Sequence, residues 1–211
     1  MNVQDAYTDW SGTYDTDHNQ TRDLDAQVTR EALAARHFRS VLELSCGTGK
    51  NTALLIGIAE HVCALDFSRG MLAQARRKIQ SEWVGFTAAD LTRPWPCRAQ
   101  TADLVLGNLV LEHIEDLSFV FGEAARVLGD GGRLFISELH PFRQYRGSRA
   151  NFQRGDLNVA IPVFVHHVSD FTGAAERSGL RLARFGECWD DDDRTKPPRL
   201  VTFEFEKTVG A

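Results

Sequence analysis

The stretch that most constrains this chain is Val41-Leu42-Glu43-Leu44-Ser45-Cys46-Gly47-Thr48-Gly49-Lys50-Asn51-Thr52. It reads as a buried strand, a glycine turn and a helix start. Val41, Leu42 and Leu44 supply the apolar strand. Gly47 and Gly49 permit a sharp turn and let a ligand approach bare backbone. Thr48, Asn51 and Thr52 are residue types that cap the helix that follows. Alone, Gly-x-Gly fits any strand-to-helix turn of an α/β protein, so the rest of the chain decides what the turn is for.

Strand and helix signals alternate from here. Strands are expected at 41–44, 62–66, 84–87, 102–107 and 133–138, and helices at 50–59, 68–79 and 116–128. Ser68 caps the second helix, whose inward face carries Leu72, Ala75 and Ile79. Asp130-Gly131-Gly132 ends the third and turns the chain. Near-continuous apolar strands between helices predict an α/β fold with a doubly wound parallel sheet, covered on both faces. A helix from Ser169 to Ser178, stopped by Gly179, leads to two last strands at 180–187 and 200–206. In the final one Val201, Phe203 and Phe205 alternate with Thr202, Glu204 and Glu206, the pattern of a half-exposed antiparallel strand.

Two regions stand outside this rhythm. Residues 1–20 are polar and aromatic, with Tyr7, Trp10 and Tyr14 but no helical period, and read as a loose tail or an arm over a ligand. A helix from 21 to about 38 follows, with Leu24, Val28, Ala32 and Ala35 on one face. Residues 140–168 are rich in aromatics and arginine (Arg143, Arg146, Arg149, Arg154), with a short strand expected at 161–165. The chain is read as one domain over 1–211, with an N-terminal arm and helix at 1–38 and an insertion at 140–168 that serves as a substrate lid.

A formal net charge of −5 without a basic block argues against a nucleic-acid backbone as the main partner. Cys46, Cys63, Cys97 and Cys188 form no CxxC pair, so neither a zinc site nor a disulfide framework is expected. The polar, acidic N-terminus is no signal peptide. No apolar run approaches the roughly 18 residues of a membrane span. Cytoplasm, no membrane and no metal are the expectations; oligomeric state is not readable.

Polar residues cluster where the strands end. Glu43 lies late in the first strand, Asp66 ends the second, Asp90 follows the third, Asn108 follows the fourth, and Glu138 and His140 end the fifth. Open α/β sheets bind ligands at that edge. Asp66 lies roughly twenty residues past the glycine turn, where a dinucleotide fold keeps a ribose-binding carboxylate. Yet Thr52 stands where a third glycine would be, and Lys50 is followed by Asn51 rather than Ser or Thr. The usual apparatus for a pyrophosphate is missing, which disfavours a nicotinamide dinucleotide and points to a ribose without a phosphate.

In this order the motifs resemble the class I S-adenosylmethionine-dependent methyltransferases of the small-molecule type. Val41 to Thr52 resembles the first motif of that family, Asp66-Phe67-Ser68 the second, Ala89-Asp90-Leu91 the third, Asp103 to Leu117 the fourth, and Gly131 to Glu138 the strand-five segment. The resemblance implies a Rossmann-like, seven-stranded, mostly parallel sheet with an antiparallel last strand, and S-adenosylmethionine as cofactor. It also implies roles. Glu43 orients the amino end of the cofactor, and Gly47 and Gly49 bring backbone against its methionine portion. Asp66 accepts from the ribose, Phe67 and Met71 pack on adenine, and Asp90, beside Leu91, accepts from the adenine amino group. Asn108 and Leu109 floor the sulfonium, and Tyr14 and Arg22 close over it.

The acceptor is expected to be a small metabolite methylated on oxygen or nitrogen. A histidine is the natural base near neutral pH. His140, His166 and His167 are candidates for a base or a substrate contact, each equally readable as a hydrogen-bonded structural residue; His113 and His61 read as structural. Arg143, Tyr145, Arg146 and Arg149 suit either a clamp for an acidic or phosphorylated substrate or a solvated surface. Asn108-Leu109-Val110-Leu111 lacks the Asp/Asn-Pro-Pro-Tyr/Phe of enzymes that methylate nucleobase amino groups. Methylation of a protein or RNA by another route, and a cofactor-binding module without catalysis, remain as alternatives.

Overall fold

The structure is a computed structural model that describes residues 2–148, 150–154, 157–191 and 193–208. In chain order it contains α1 (Val3–Trp10), α2 (Gln20–Leu33), β1 (Phe38–Leu44), α3 (Lys50–Leu55), β2 (Ala59–Asp66), α4 (Arg69–Lys78), β3 (Val84–Ala88) and β4 (Ala102–Asn108). There follow α5 (Leu117–Val127), β5 (Leu128–Leu139), α6 (Pro141–Tyr145), β6 (Asn151–Arg154), β7 (Leu157–Ala160), α7 (Val168–Arg177), β8 (Leu180–Cys188) and β9 (Leu200–Lys207).

Seven strands form one sheet in the order β3-β2-β1-β4-β5-β9-β8. β9 pairs antiparallel with both β5 and β8, and the other pairings are parallel. The strand order reverses between β1 and β4, and a crevice opens at such a reversal outside the carboxyl ends of the strands. Successive side chains alternate between the faces. Val41, Leu104 and Leu106 pack with Leu33 and Leu55 on one side. Leu42, Leu44, Val105 and Ile136 pack with Phe121, Phe171 and Phe203 on the other. Among the described residues no helix is long and apolar enough to cross a membrane.

The structure corrects several sequence expectations. The N-terminal stretch carries a helix: the Asn2 side chain accepts the N–H of Asp5 and starts α1, whose buried residues are Ala6 and Trp10. Eight residues with so narrow a buried face leave little periodicity to read. α2 stops at Leu33, short of 38, because β1 already starts at Phe38 and Ala35 turns the chain at φ 61°. Asp130-Gly131-Gly132 lies inside β5, where the pairing with β4 shifts register, with Gly131 at φ 72°. No strand forms at 161–165; the extended pair is β6 with β7 just before, and Ile161 is buried against Ala6 and Trp10. His167, not Ser169, is the N-cap of α7.

β9 is buried almost throughout rather than half exposed. Glu204, only 4% exposed, takes Arg36 at 2.5 Å and Arg133 at 2.8 Å, and the two guanidiniums hold its carboxyl below the ordinary range against the opposing effect of burial. A buried carboxylate with two partners gives the same alternating pattern as a solvated one.

Candidate functional site

A cavity opens beyond the carboxyl ends of β1, β2 and β4. Its floor is backbone held in rare conformations. β1 passes into Ser45 at φ 52°, and β4 into Leu109 at φ 51°. Left-handed conformations at non-glycine residues cost about 1–3 kcal/mol each and persist only where the surroundings impose them. Gly47, at φ 55°, turns the chain and donates its N–H to the Asp66 carboxylate at 2.9 Å. The other Asp66 oxygen accepts the N–H of Ser68 at 2.8 Å. One carboxylate thus joins the glycine turn to the start of α4. Burial pushes the Asp66 carboxyl up to about 6.

The floor is strongly acidic. Glu43, 3% exposed, accepts the Thr52 hydroxyl at 2.5 Å, and burial pushes its carboxyl up to about 8, with Asp66 and Asp25 adding repulsion. Asp25 reaches in from α2 and is 4% exposed. Asn108 Nδ2 donates to it at 2.7 Å and to Thr29 Oγ1 at 2.8 Å. Glu138 lies beneath the loop after β4, where its carboxylate accepts the N–H groups of Val110 and Leu111, both at 2.9 Å; burial pushes it up to about 8.

The roof comes from the N-terminal segment. Arg22 donates to the carbonyls of Tyr14 and Asp17 and lies over the Tyr14 ring at 3.9 Å. Tyr7 donates its hydroxyl to His113 Nε2 at 2.8 Å, and His113 Nδ1 donates to the Pro162 carbonyl at 2.9 Å. A carbonyl only accepts, so Nδ1 carries the proton of the ring. Burial holds the His113 imidazole below its ordinary pKa and therefore neutral near pH 7.

Of the residues expected to hold the cofactor, Tyr14, Arg22, Glu43, Gly47, Asp66, Phe67, Met71, Asp90, Leu91, Asn108 and Leu109 lie on the cavity wall. Gly49 does not: at φ 86° it seats the turn on α4, where an added Cβ would lie 3.3 Å from Ile79 Cγ1. None of His140, His166 and His167 lines the cavity. His140 accepts the Phe142 N–H at 3.1 Å and faces Glu187 at 3.0 Å, because the end of β5 delivers it to the start of α6. His166 donates to the Ile114 carbonyl at 2.8 Å, and His167 meets the Tyr145 hydroxyl at 2.5 Å. His61 is exposed beside Trp83, whereas His113, expected to be structural, faces the cavity.

Tyr7, Asp25, Ser45 and His113 are wall residues that the sequence reading passed over. Asp25 had a signal: Asp25, Thr29 and Leu33 recur every four residues on the buried face of α2, a polar start to an inward stripe. Tyr7 was named only within a stretch read as a tail or an arm over a ligand; its own contact left no signal, since its partner is more than a hundred positions away.

Two buried polar atoms on wall residues have no hydrogen-bond partner among the described residues: Arg22 Nε and Asn108 Oδ1. Buried polar groups in native proteins are overwhelmingly paired, so an orphan donor and an orphan acceptor beside three carboxylates ask for a ligand. The ligand they suit carries an anionic group, a donor group and net positive charge near the carboxylates. Among the described residues no cluster of three or more His, Cys, Asp or Glu is placed to hold a metal ion.

Comparison with known proteins agrees with this geometry. Residues 42–136 match the family described as Methyltransferase domain. The chain is 31% identical over 179 residues to the biotin biosynthesis bifunctional protein BioHC of Cellvibrio japonicus, covering 84% of this chain and 34% of that protein. It is 31% identical over 180 residues to the malonyl-[acyl-carrier protein] O-methyltransferase of Methylovorus sp., covering 81% of this chain and 60% of that one. It therefore spans a third and three-fifths of the lengths of these two relatives. The N-methyltransferase NodS of Bradyrhizobium japonicum, solved with S-adenosyl-L-homocysteine, superposes with a TM-score of 0.74 at 16% identity, over 98% of this chain and 99% of that one.

Its motif order, its sheet topology and the match of residues 42–136 make the chain similar to the class I S-adenosylmethionine-dependent methyltransferases. The cofactor of that family is S-adenosylmethionine, a nucleoside without phosphate that bears a sulfonium, an ammonium and a carboxylate. The orphan guanidinium N–H, the orphan amide oxygen and the surplus of carboxylates fit those groups.

Proposed function

We propose that this chain transfers the methyl group of S-adenosylmethionine to an oxygen or nitrogen atom of a small metabolite. The carrying observation is the cavity itself: three buried carboxylates and two orphan polar atoms, at the strand reversal of a Rossmann-like sheet. The oxygen acceptor draws support from the malonyl-[acyl-carrier protein] O-methyltransferase among the similar proteins.

In this reading Arg22 Nε takes the cofactor carboxylate and Glu43 its ammonium, with Gly47 backbone alongside. Asp66 uses its remaining lone pairs on the ribose hydroxyls. Phe67 and Met71 flank adenine, and Asp90 and Leu91 bound its far edge. Asn108 and Leu109 face the sulfonium, and Asn108 Oδ1 accepts from the cofactor. The cofactor, when bound, supplies an already activated methyl group. What the protein adds is alignment and exclusion of water, and correct positioning alone is worth about 7–11 kcal/mol.

Where the acceptor must lose a proton, we place the base at the Tyr7–His113 pair rather than at His140, His166 or His167. Tyr7 meets the cavity, and the neutral His113 Nε2 behind it takes the proton that Tyr7 passes on. The deciding experiment has two arms. Calorimetry compares S-adenosyl-L-homocysteine with NAD and NADP, and turnover is screened against metabolite extracts with S-adenosyl-L-homocysteine as the readout. Binding of the nucleoside thioether with no response to the dinucleotides, plus product formed only with extract, is expected. Failure to bind it ends the reading.

A further inference from the structure

A second cavity lies on the same rim, between the start of α2, the end of β5 and α6. His18, Gln20, Thr21, Leu139, Arg143 and Arg199 border it. Its charge is unbalanced. Arg199 donates through Nε to Asp190, through Nη1 to Thr21 at 3.0 Å and through Nη2 to Gln20 at 2.9 Å. Arg143 donates through Nε to the Pro198 carbonyl at 3.1 Å and through Nη2 to the same Asp190 at 3.3 Å. Among the described residues Nη1 of Arg143 has no hydrogen-bond partner. Asp190 is one carboxylate serving two guanidiniums, and a third, Arg146, adds its repulsion at Arg143. Both side chains of the pair are mostly shielded, Arg143 at 25% and Arg199 at 16% exposure. Their forks are fixed by backbone carbonyls and α2 side chains, so neither has to be ordered when a ligand arrives.

α2 is a wall common to the two cavities. Gln20 and Thr21 face the second, Arg22 and Asp25 the first. A molecule seated against Arg143 and Arg199 therefore lies one helix edge away from the cofactor cavity. We propose that the second cavity is the anion subsite of the methyl acceptor. It holds a carboxylate or phosphate remote from the atom that receives the methyl group, and the unbonded Nη1 of Arg143 is the donor it meets. Planar guanidinium forks suit both oxyanions, so the shared chemistry is an oxyanion. The inference rests on the methyl-transfer reading and names the substrate class within it: an anionic small metabolite.

The test keeps the two readings apart. The full chain is saturated with S-adenosyl-L-homocysteine and titrated with inorganic phosphate and, separately, with succinate, following the arginine Nε–H signals by NMR. One or both anions should shift the Arg143 and Arg199 signals saturably, and whichever binds tighter identifies the source. Arg143→Gln should weaken that binding at least tenfold and leave the affinity for S-adenosyl-L-homocysteine within about twofold. Arg143→Lys keeps the charge without the fork and should lie between the two. If Arg143→Gln does not fold, the lysine variant carries the test. Absence of saturable shifts, or shifts equal in wild type and variants, overturns the proposal. Failure of wild type to bind S-adenosyl-L-homocysteine would instead overturn the methyl-transfer reading.

Discussion

The floor and the roof of the cofactor cavity are built by different means. The floor is strand ends and a glycine turn, fixed by a parallel sheet and by carboxylates bonded to nearby backbone: Asp66 to Gly47 and Ser68, Glu138 to Val110 and Leu111. The roof is a short helix and the segment after it, held by a few contacts between distant residues. Gln4 donates to the Phe67 carbonyl at 2.7 Å, Tyr7 to His113 at 2.8 Å, and Asp15 takes both Thr48 at 2.6 Å and Lys78 at 2.7 Å. Regions tied down by few, partly exposed hydrogen bonds open at lower free energy than a core sheet. The floor should therefore govern folding and the roof should govern access.

The sharpest way to break this contrast is at Asp66. Asp66→Ala leaves two floor N–H groups without their acceptor and should lower S-adenosyl-L-homocysteine affinity by about 100-fold or more in calorimetry, with a fall of about 1–3 kcal/mol in stability by denaturant melts. Normal affinity in a folded variant would remove the carboxylate from the site.

On the roof, His113→Gln should cost about 100-fold or more in turnover, within the range typical of general-base loss, while affinity for S-adenosyl-L-homocysteine stays within about threefold. Equal losses in binding and turnover would make His113 a mere prop for α1.

Gly70 tests the seam between the two regions. α1 crosses α4 there, and a Cβ at Gly70 would lie 2.6 Å from Ser11 Oγ and 3.1 Å from the Thr8 carbonyl oxygen. Gly70→Ala should lift α1, weaken cofactor binding about tenfold and leave the thermal melt nearly unchanged. A large fall in the melting temperature would show that the roof belongs to the folding unit.

The smallest effect is on pH. Glu43 and Asp66 have carboxyls raised to about 8 and about 6 in the folded protein. Raised carboxyls keep protons that the unfolded chain releases near pH 4, so the ligand-free protein loses stability as pH rises from there towards 8. A cationic ligand prefers the ionised forms, so cofactor affinity should rise between pH 6 and 8, by up to about tenfold per pH unit for each proton released. Calorimetry in buffers of different ionisation enthalpy counts those protons; an affinity flat across that range would detach the carboxylates from the cofactor.

The same contrast explains what could be read from the sequence. The floor was legible because it is local: Val41 to Thr52 spells strand, turn and helix within a dozen residues, and the end of each parallel strand falls on the rim. Asp66, Asp90 and Asn108 came out of that logic directly, and the cavity wall includes all three. The roof was legible only in outline: an arm over a ligand with Tyr14 and Arg22 was expected and both line the cavity, but the contacts of Tyr7 with His113 and Asp15 with Thr48 form only through the fold. The burial of Glu204 was not legible, because its partners Arg36 and Arg133 arrive from separate elements. The same holds for His140, which looked close to the cofactor end along the chain but stands at the start of α6 against Glu187, off the cofactor cavity.

Ser45 and Leu109 sit at the mouth of the site in a backbone state that glycine adopts with no steric penalty. Side chains stand there at a conformational cost of about 1–3 kcal/mol each, and Ser45→Gly should yield a protein that melts higher and holds its nucleoside less well.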